Sequence, residues 1–241
     1  MKTPISVDVI SDVVCPWCFI GQKRLEKAML AAPEADVAIR WRPYQLDPTI
    51  PAEGRDRKAY MLAKFGSEEK LRQIHDRIVP LGQAEGIDFH FEDIKIAANT
   101  LDAHRLIRWA ASAGDGVQNR VVKALFAANF ERGENISDHE TLARIAGESG
   151  MDAAVVRTLL ASDSDADAVR QEIAQAQRMG VTGVPCFLIE GKYAVMGAQD
   201  ADVLADAIRQ VAAAKARGEL DAAEYPAHFG ASLRSLRRTR G

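Results

Sequence analysis

The sequence predicts an α/β fold interrupted by a large all-helical insertion, and three observations predict it. A strand–helix–strand pattern opens the chain, strand text returns only near Val184, and the stretch between, about residues 55 to 179, reads as helix. The predicted organisation is therefore a discontinuous α/β unit of residues 1–54 and 180–215, a helical insertion of 55–179, and a C-terminal extension of 216–241.

The elements follow in order. Ile5, Val7 and Val9 alternate with Ser6 and Asp8, the pattern of a β-branched strand. Gly21, Leu25, Ala28, Met29 and Ala32 recur at helical spacing until Pro33 stops them. Val37, Ile39 and Trp41 form a second strand, and a β-α-β unit this short implies a parallel pair with a right-handed crossover. Pro43, Pro48 and Pro51 mark a loop. Within the insertion, Asn99 or Thr100 is a candidate cap for a helix burying Ala103, Leu106, Ile107 and Ala110. Ser137-Asp138-His139-Glu140 matches a capping box. A helix carrying Val169, Ile173 and Ala176 ends at Gly180, a residue suited to positive φ. Strand text at 184–189, a Glu190-Gly191-Lys192 turn and Tyr193–Met196 form a hairpin, and a last helix begins near Asp200.

Composition bounds the function. With 241 residues, 47% hydrophobic and 27% charged, the chain can bury a sizeable core and is neither disordered, collagenous nor disulfide-dense. A formal charge of −3 argues against a nucleic-acid partner. No run approaches the ~18 apolar residues of a membrane span. Asp8 and Asp12 interrupt the N-terminal segment, so no secretory signal is read and a cytoplasmic location, where thiols stay reduced, is expected.

Chemistry concentrates at Cys15-Pro16-Trp17-Cys18. Cys15 follows a strand and opens a helix, whose free N–H groups and positive dipole end stabilise a thiolate. Thiols so placed have pKa values of roughly 3.5–7.5, so Cys15 is the expected nucleophile. Cys18, one turn on, is the expected resolving thiol, and Pro16 sits where no helical hydrogen bond is lost. A metal site would need four ligands. One Cys-x-x-Cys, a distant Cys186 and five scattered histidines do not supply that spacing, so no metal is expected.

Pro185 opens the later strand, at a place where a missing N–H is tolerated. Taken alone, the Val184–Pro185 bond would be trans, since only about 5–6% of X–Pro bonds are cis. Trp17 reads equally as an exposed recognition residue or as a partly buried neighbour of the site. His104 reads as packed or hydrogen-bonded rather than catalytic. Cys186 reads as a buried small hydrophobe, the alternative being a third thiol within reach of Cys15. The Arg234, Arg237, Arg238 and Arg240 stretch reads as a solvated tail, the alternative being a docking arm for an acidic surface or a second subunit.

Together these features resemble the thioredoxin fold with an inserted helical domain, more narrowly the DsbA family and its FrnE-like cytoplasmic branch. The residues that carry the likeness are Ser11-Asp12-Val13-Val14-Cys15-Pro16-Trp17-Cys18, Asn99-Thr100-Leu101, Ala103-His104-Arg105-Leu106, Gly183-Val184-Pro185 and Gly197-Ala198-Gln199, over about residues 5–213. The resemblance implies a thiol–disulfide oxidoreductase acting through Cys15 and Cys18. It also implies that Pro185 is cis and faces Cys15, and that an extended substrate pairs with the Val184 main chain. Pro16, Trp17 and a flat apolar surface including Val13 and Val14 would line the substrate. No obligatory cofactor is implied. Glutathione or another thiol would serve as electron donor or co-substrate. The partner would be a protein disulfide or dithiol, or glutathione, with no nucleic acid or membrane, and a homodimer is allowed.

Two departures matter. The carboxylate that DsbA-like proteins often carry six positions before the nucleophile is Val9 here. Asp8 and Asp12 are the nearest acids, and water is the default proton acceptor for Cys18. The Pro-Trp dipeptide also differs from the Pro-His of strongly oxidising relatives. Two alternative functions accompany this reading. One is a glutathione-dependent transferase or isomerase of the kappa and 2-hydroxychromene-2-carboxylate isomerase type, which use Ser-Pro where this chain has Cys-Pro. The other is a peptide-binding holdase.

Overall fold

The computed structural model describes residues 2–220. The arginine-rich stretch singled out above lies outside them. The chain begins with strand β1 (Thr3–Ser11), helix α1 (Pro16–Ala31) and strand β2 (Ala35–Pro43). The insertion holds a short strand β3 (Arg55–Asp56), α2 (Arg57–Phe65), α3 (Glu68–Ala84), a short β4 (Ile96–Ala97), α4 (Leu101–Ala110), α5 (Val117–Phe130), α6 (His139–Glu148), α7 (Ala153–Leu160) and α8 (Ala166–Arg178). The chain then forms the hairpin β5 (Cys186–Ile189) and β6 (Tyr193–Met196), followed by α9 (Ala201–Ala216).

One four-stranded sheet runs in the order β2-β1-β5-β6. β1 and β2 are parallel, with Val7 opposite Ile39 and Val9 opposite Trp41, and α1 is their crossover. β5 is antiparallel to both β1 and β6. β2 is an edge strand. Gln118 of α5 occupies that edge with its amide, accepting from the Trp41 N–H at 3.0 Å and donating to the Trp41 carbonyl at 3.3 Å. The edge is thereby engaged at Trp41, where both main-chain groups are taken.

Local signals place most boundaries. Pro16 occupies the start of α1. Gly180 has φ +86, its N–H bonds to Gln177 and the Val181 N–H bonds to Ala176, the paired C-terminal bonds that close α8. Glu190 and Gly191 both have positive φ, as a tight hairpin requires. At α4 the capping side chain is Asn99, whose Oδ1 accepts from the Leu101 N–H at 2.9 Å, while Thr100 contributes no side-chain cap.

Two expectations change. The cap of α6 is Asp138, not Ser137: Asp138 accepts from the Thr141 N–H at 2.8 Å, whereas the Ser137 hydroxyl is taken by the Asn99 N–H. The stretch read as uniformly helical also contains the β3–β4 ladder, two residues per strand and too short to show alternation.

A contiguous core runs through both the sheet unit and the insertion. Phe19 of α1 stacks on Phe126 of α5 and also meets Phe89 and Phe130. The helix that carries the cysteines is thus wedged between the sheet and the insertion.

Candidate functional site

The site is assembled where β1 ends. Asp12 turns the chain, and its carbonyl accepts the Cys15 N–H at 3.0 Å. Its carboxylate is buried: Oδ2 accepts the Leu46 N–H at 2.8 Å, and Oδ1 lies 3.4 Å from His104 Nε2. His104 Nε2 is hydrogen-bonded to the Tyr44 carbonyl at 2.8 Å, which leaves Asp12 Oδ1 buried without a hydrogen-bond partner of its own. Asp12 therefore points inward and braces the turn against two neighbouring segments. Asp8 is instead engaged by Arg40 and Arg42.

Cys15 is the N-cap of α1 in an extended conformation, with no acidic residue in the helix's first turn to repel a negative sulfur. The thiol donates to the Val184 carbonyl at 3.8 Å. The Val184–Pro185 peptide bond is cis. Pro185 lies against Gly21, where an added Cβ would come within 2.9 Å of the proline ring. Only glycine lets α1 approach the Val184–Pro185 turn this closely.

Cys18 is buried behind Cys15. Burial, then the hydrogen bond and charge of Cys15, push its thiol well above the ordinary value, and the Ser11 hydroxyl and the Asp12 N–H offset part of this. Ser11, the last residue of β1, stands in the segment that carries the family likeness, but no spacing marks its hydroxyl as a partner of Cys18. Cys186 belongs to a separate apolar cluster with Ile10, Tyr44 and Leu188, and burial pushes its thiol up to about 12. It is a small core hydrophobe.

In front of Cys15 lies a cavity of about 500 Å³. Cys15, Pro16, Trp17 and Val184 line it, so the chain brings together residues separated by 169 positions. Trp17, 39% exposed, stands at its rim. The opposite walls come from the insertion, with Tyr60 and Met61 of α2, Ile74 and His75 of α3, and Phe91 beyond them.

Sequence profiles of the DSBA-like thioredoxin domain match residues 6–209. The chain belongs to this family. Among solved structures it is similar to a probable DsbA oxidoreductase of Streptomyces coelicolor, with 32% identity, 91% of this chain and 93% of that one covered, and a TM-score of 0.79. A 2-hydroxychromene-2-carboxylate isomerase shares the fold at 17% identity, covering 88% of this chain and 98% of that one, with a TM-score of 0.67. So does the cytosolic disulfide reductase DsbM of Pseudomonas aeruginosa with GSH, at 18% identity, 88% and 99% coverage and a TM-score of 0.57. Among the described residues, no helix is long and apolar enough to cross a membrane.

For this family member, the expected flat apolar surface is corrected. Val13 is 1% exposed and belongs to the core. The face around Cys15 is concave, because α2 and α3 rise in front of it. The insertion residues of the cavity carried no sequence signal: they sit in ordinary helical text and meet Cys15 only through the tertiary fold.

Proposed function

We propose that the chain is a thiol–disulfide oxidoreductase of the FrnE-like type, with Cys15 as nucleophile and Cys18 as resolving thiol. The observation that carries this is the Cys15 sulfur at the start of α1, 3.8 Å from the Val184 carbonyl, with a second thiol one turn deeper. Family membership and the DsbA-type neighbours support the reaction class.

The thiolate of Cys15 attacks one sulfur of a substrate disulfide. A mixed disulfide forms and the first substrate thiolate leaves, taking a proton from water. Cys18 then loses its proton and attacks the Cys15 sulfur, releasing the second substrate thiol. The substrate gains two electrons and the Cys15–Cys18 pair, now a disulfide, loses them. Burial, and then the neighbouring Cys15, hold the Cys18 thiol protonated; forming the mixed disulfide removes the second of these, which favours attack by Cys18 at that stage. The Val184 main chain and the Trp17 rim position the substrate, and glutathione or another thiol re-reduces the pair. No resident cofactor takes part. In a reducing cytoplasm the direction is reduction.

The test is a reduction assay on a protein disulfide, with glutathione as donor. Cys15→Ser should abolish turnover. Cys18→Ser should accumulate a mixed disulfide seen as an intermolecular mass adduct. Full turnover by Cys18→Ser in a glutathione-conjugation assay would instead favour the glutathione-transferase or isomerase reading, which needs only one sulfur.

A further inference from the structure

The nucleophile faces inward. Cys15 is 5% exposed, and what it faces is the cavity rather than open surface. At about 500 Å³, that cavity falls within the 300–1,000 Å³ of small-molecule sites. Its walls are mainly apolar. α2 buries none of its nine residues, and Tyr60, Met61 and Phe65, half-buried on one side of it, line the open space. An amphipathic helix with its apolar side against a cavity is a wall that lacks its packing partner.

The polar groups of the insertion side are uneven. Asp47 is satisfied by Thr49 and by Tyr60, whose hydroxyl also receives Lys64. Arg57 makes no ion pair or side-chain hydrogen bond among the described residues, although it is half-buried. Burial holds its guanidinium below the usual arginine value, and the charge of Glu92 offsets only part of this. His75 lies beside it, stacked on Phe91 at 4.2 Å, with Nε2 buried and unpartnered. Its other ring nitrogen is 4.0 Å from a Glu92 oxygen. Burial and then the charge of Arg57 lower the His75 value, which favours the uncharged ring, and Nε2 donates in the tautomer that carries its hydrogen there. A desolvated cation and an unmet ring nitrogen on one wall of an apolar cavity make an anion site.

We infer that the preferred substrate is a small disulfide with an apolar body and a carboxylate-like anionic group, the body filling the cavity and the anion held by Arg57 and His75. This rests on the thiol–disulfide reading above and narrows its substrate. The chemistry is unchanged: two electrons pass from Cys15 and Cys18 to the small disulfide, giving two small thiols.

Single-turnover kinetics of the pre-reduced full chain test it, with two aromatic pyridyl disulfides as probes. Dithiodinicotinate carries a carboxylate on each ring and dithiodipyridine does not. Each rate is divided by that of dithiothreitol with the same probe, which removes intrinsic reactivity. The carboxylated probe should be favoured by about tenfold, against the net negative charge of the chain. Arg57→Met should collapse that ratio, and Arg57→Lys should keep part of it. Because the ratio is taken within each variant, a general loss of fold does not imitate the effect. Equal normalised rates, a preference that survives Arg57→Met, or faster reaction with an unfolded protein disulfide than with either probe would overturn the assignment. If neither probe reacts faster with the native chain than with Cys15→Ser, the thiol–disulfide reading itself fails, a different outcome from equal reaction with both.

Discussion

Phe19 and Phe126 stack with ring centroids 5.0 Å apart and planes 5° from parallel. One ring belongs to the helix that Cys15 caps and that carries Cys18, and the other to the insertion. Phe126 is wholly buried, and its ring also meets Trp41 and Phe130. The insertion is therefore packed against the cysteine-bearing helix itself, and the two share hydrophobic stabilisation.

Phe126→Ala should cost about 3–5 kcal/mol, the range for truncating a buried phenylalanine. Because the core is continuous, the variant should still unfold in a single urea transition, moved to lower denaturant. Two separated transitions would show that the insertion folds as an independent unit.

Gly21→Ala tests the close approach of α1 to Pro185. On helix propensity alone, alanine gains roughly 1 kcal/mol over glycine. The added methyl would stand 2.9 Å from the Pro185 ring and 3.1 Å from the Phe187 ring, both rigid. Something must shift, and Val184 is joined to Pro185. The variant should melt below the wild type and react with disulfides about tenfold more slowly, as a displaced positioning group would dictate. Wild-type rates with a raised melting temperature would show that Pro185 yields without consequence.

What was readable in the sequence divides along the same line. Cys15 and Cys18 are neighbours in the chain, and a strand before them with a helix after is a local pattern. Gly180 could be placed because the end of a helix needs positive φ there. The cavity is of another kind. Arg57, His75 and Phe91 come from separate segments, and no spacing links them to Cys15. Ser137 and Asp138 are both good caps, and only the competing Asn99 N–H decides between them. Val13 and Val14 look alike in sequence, yet the exit angle of the chain from β1 sends Val13 into the core.

The three thiols should differ sharply in reactivity. With iodoacetamide at pH 8, Cys15, which lines the cavity, should be modified first. Cys18 should react slowly, and faster as pH rises, because burial and Cys15 hold its proton. Cys186, with its thiol pushed up to about 12 and 0% exposed, should remain unmodified until denaturant is added. Peptide mass mapping reads all three. Cys186→Ser should leave disulfide reduction unchanged and cost about 1–3 kcal/mol, since it buries a hydroxyl in an apolar cluster. Altered redox kinetics in that variant would give the third sulfur a role in the chemistry.

Glu190 ties the hairpin to the first strand and the last helix. Its Oε1 accepts the Ser6 N–H at 2.6 Å and its Oε2 lies 2.8 Å from Lys215 Nζ. Burial alone would raise its pKa. The hydrogen bond from Lys215, then the Ser6 N–H and the lysine charge, outweigh that and hold the carboxyl below the usual glutamate value. A depressed folded-state value means that the unfolded chain binds the proton more readily. The stabilisation is therefore present above the unfolded glutamate pKa of about 4.3 and is lost as pH falls through the lower folded value. Glu190→Gln removes the charge while keeping the shape, and should cost about 1 kcal/mol at pH 7, the scale of one charge-assisted contact that is partly screened. Urea titrations from pH 7 down to the acid limit of folding should show the gap between variant and wild type closing below about pH 4. A gap that stays constant over that range would mean that the carboxylate charge contributes nothing and that the turn is held by shape alone.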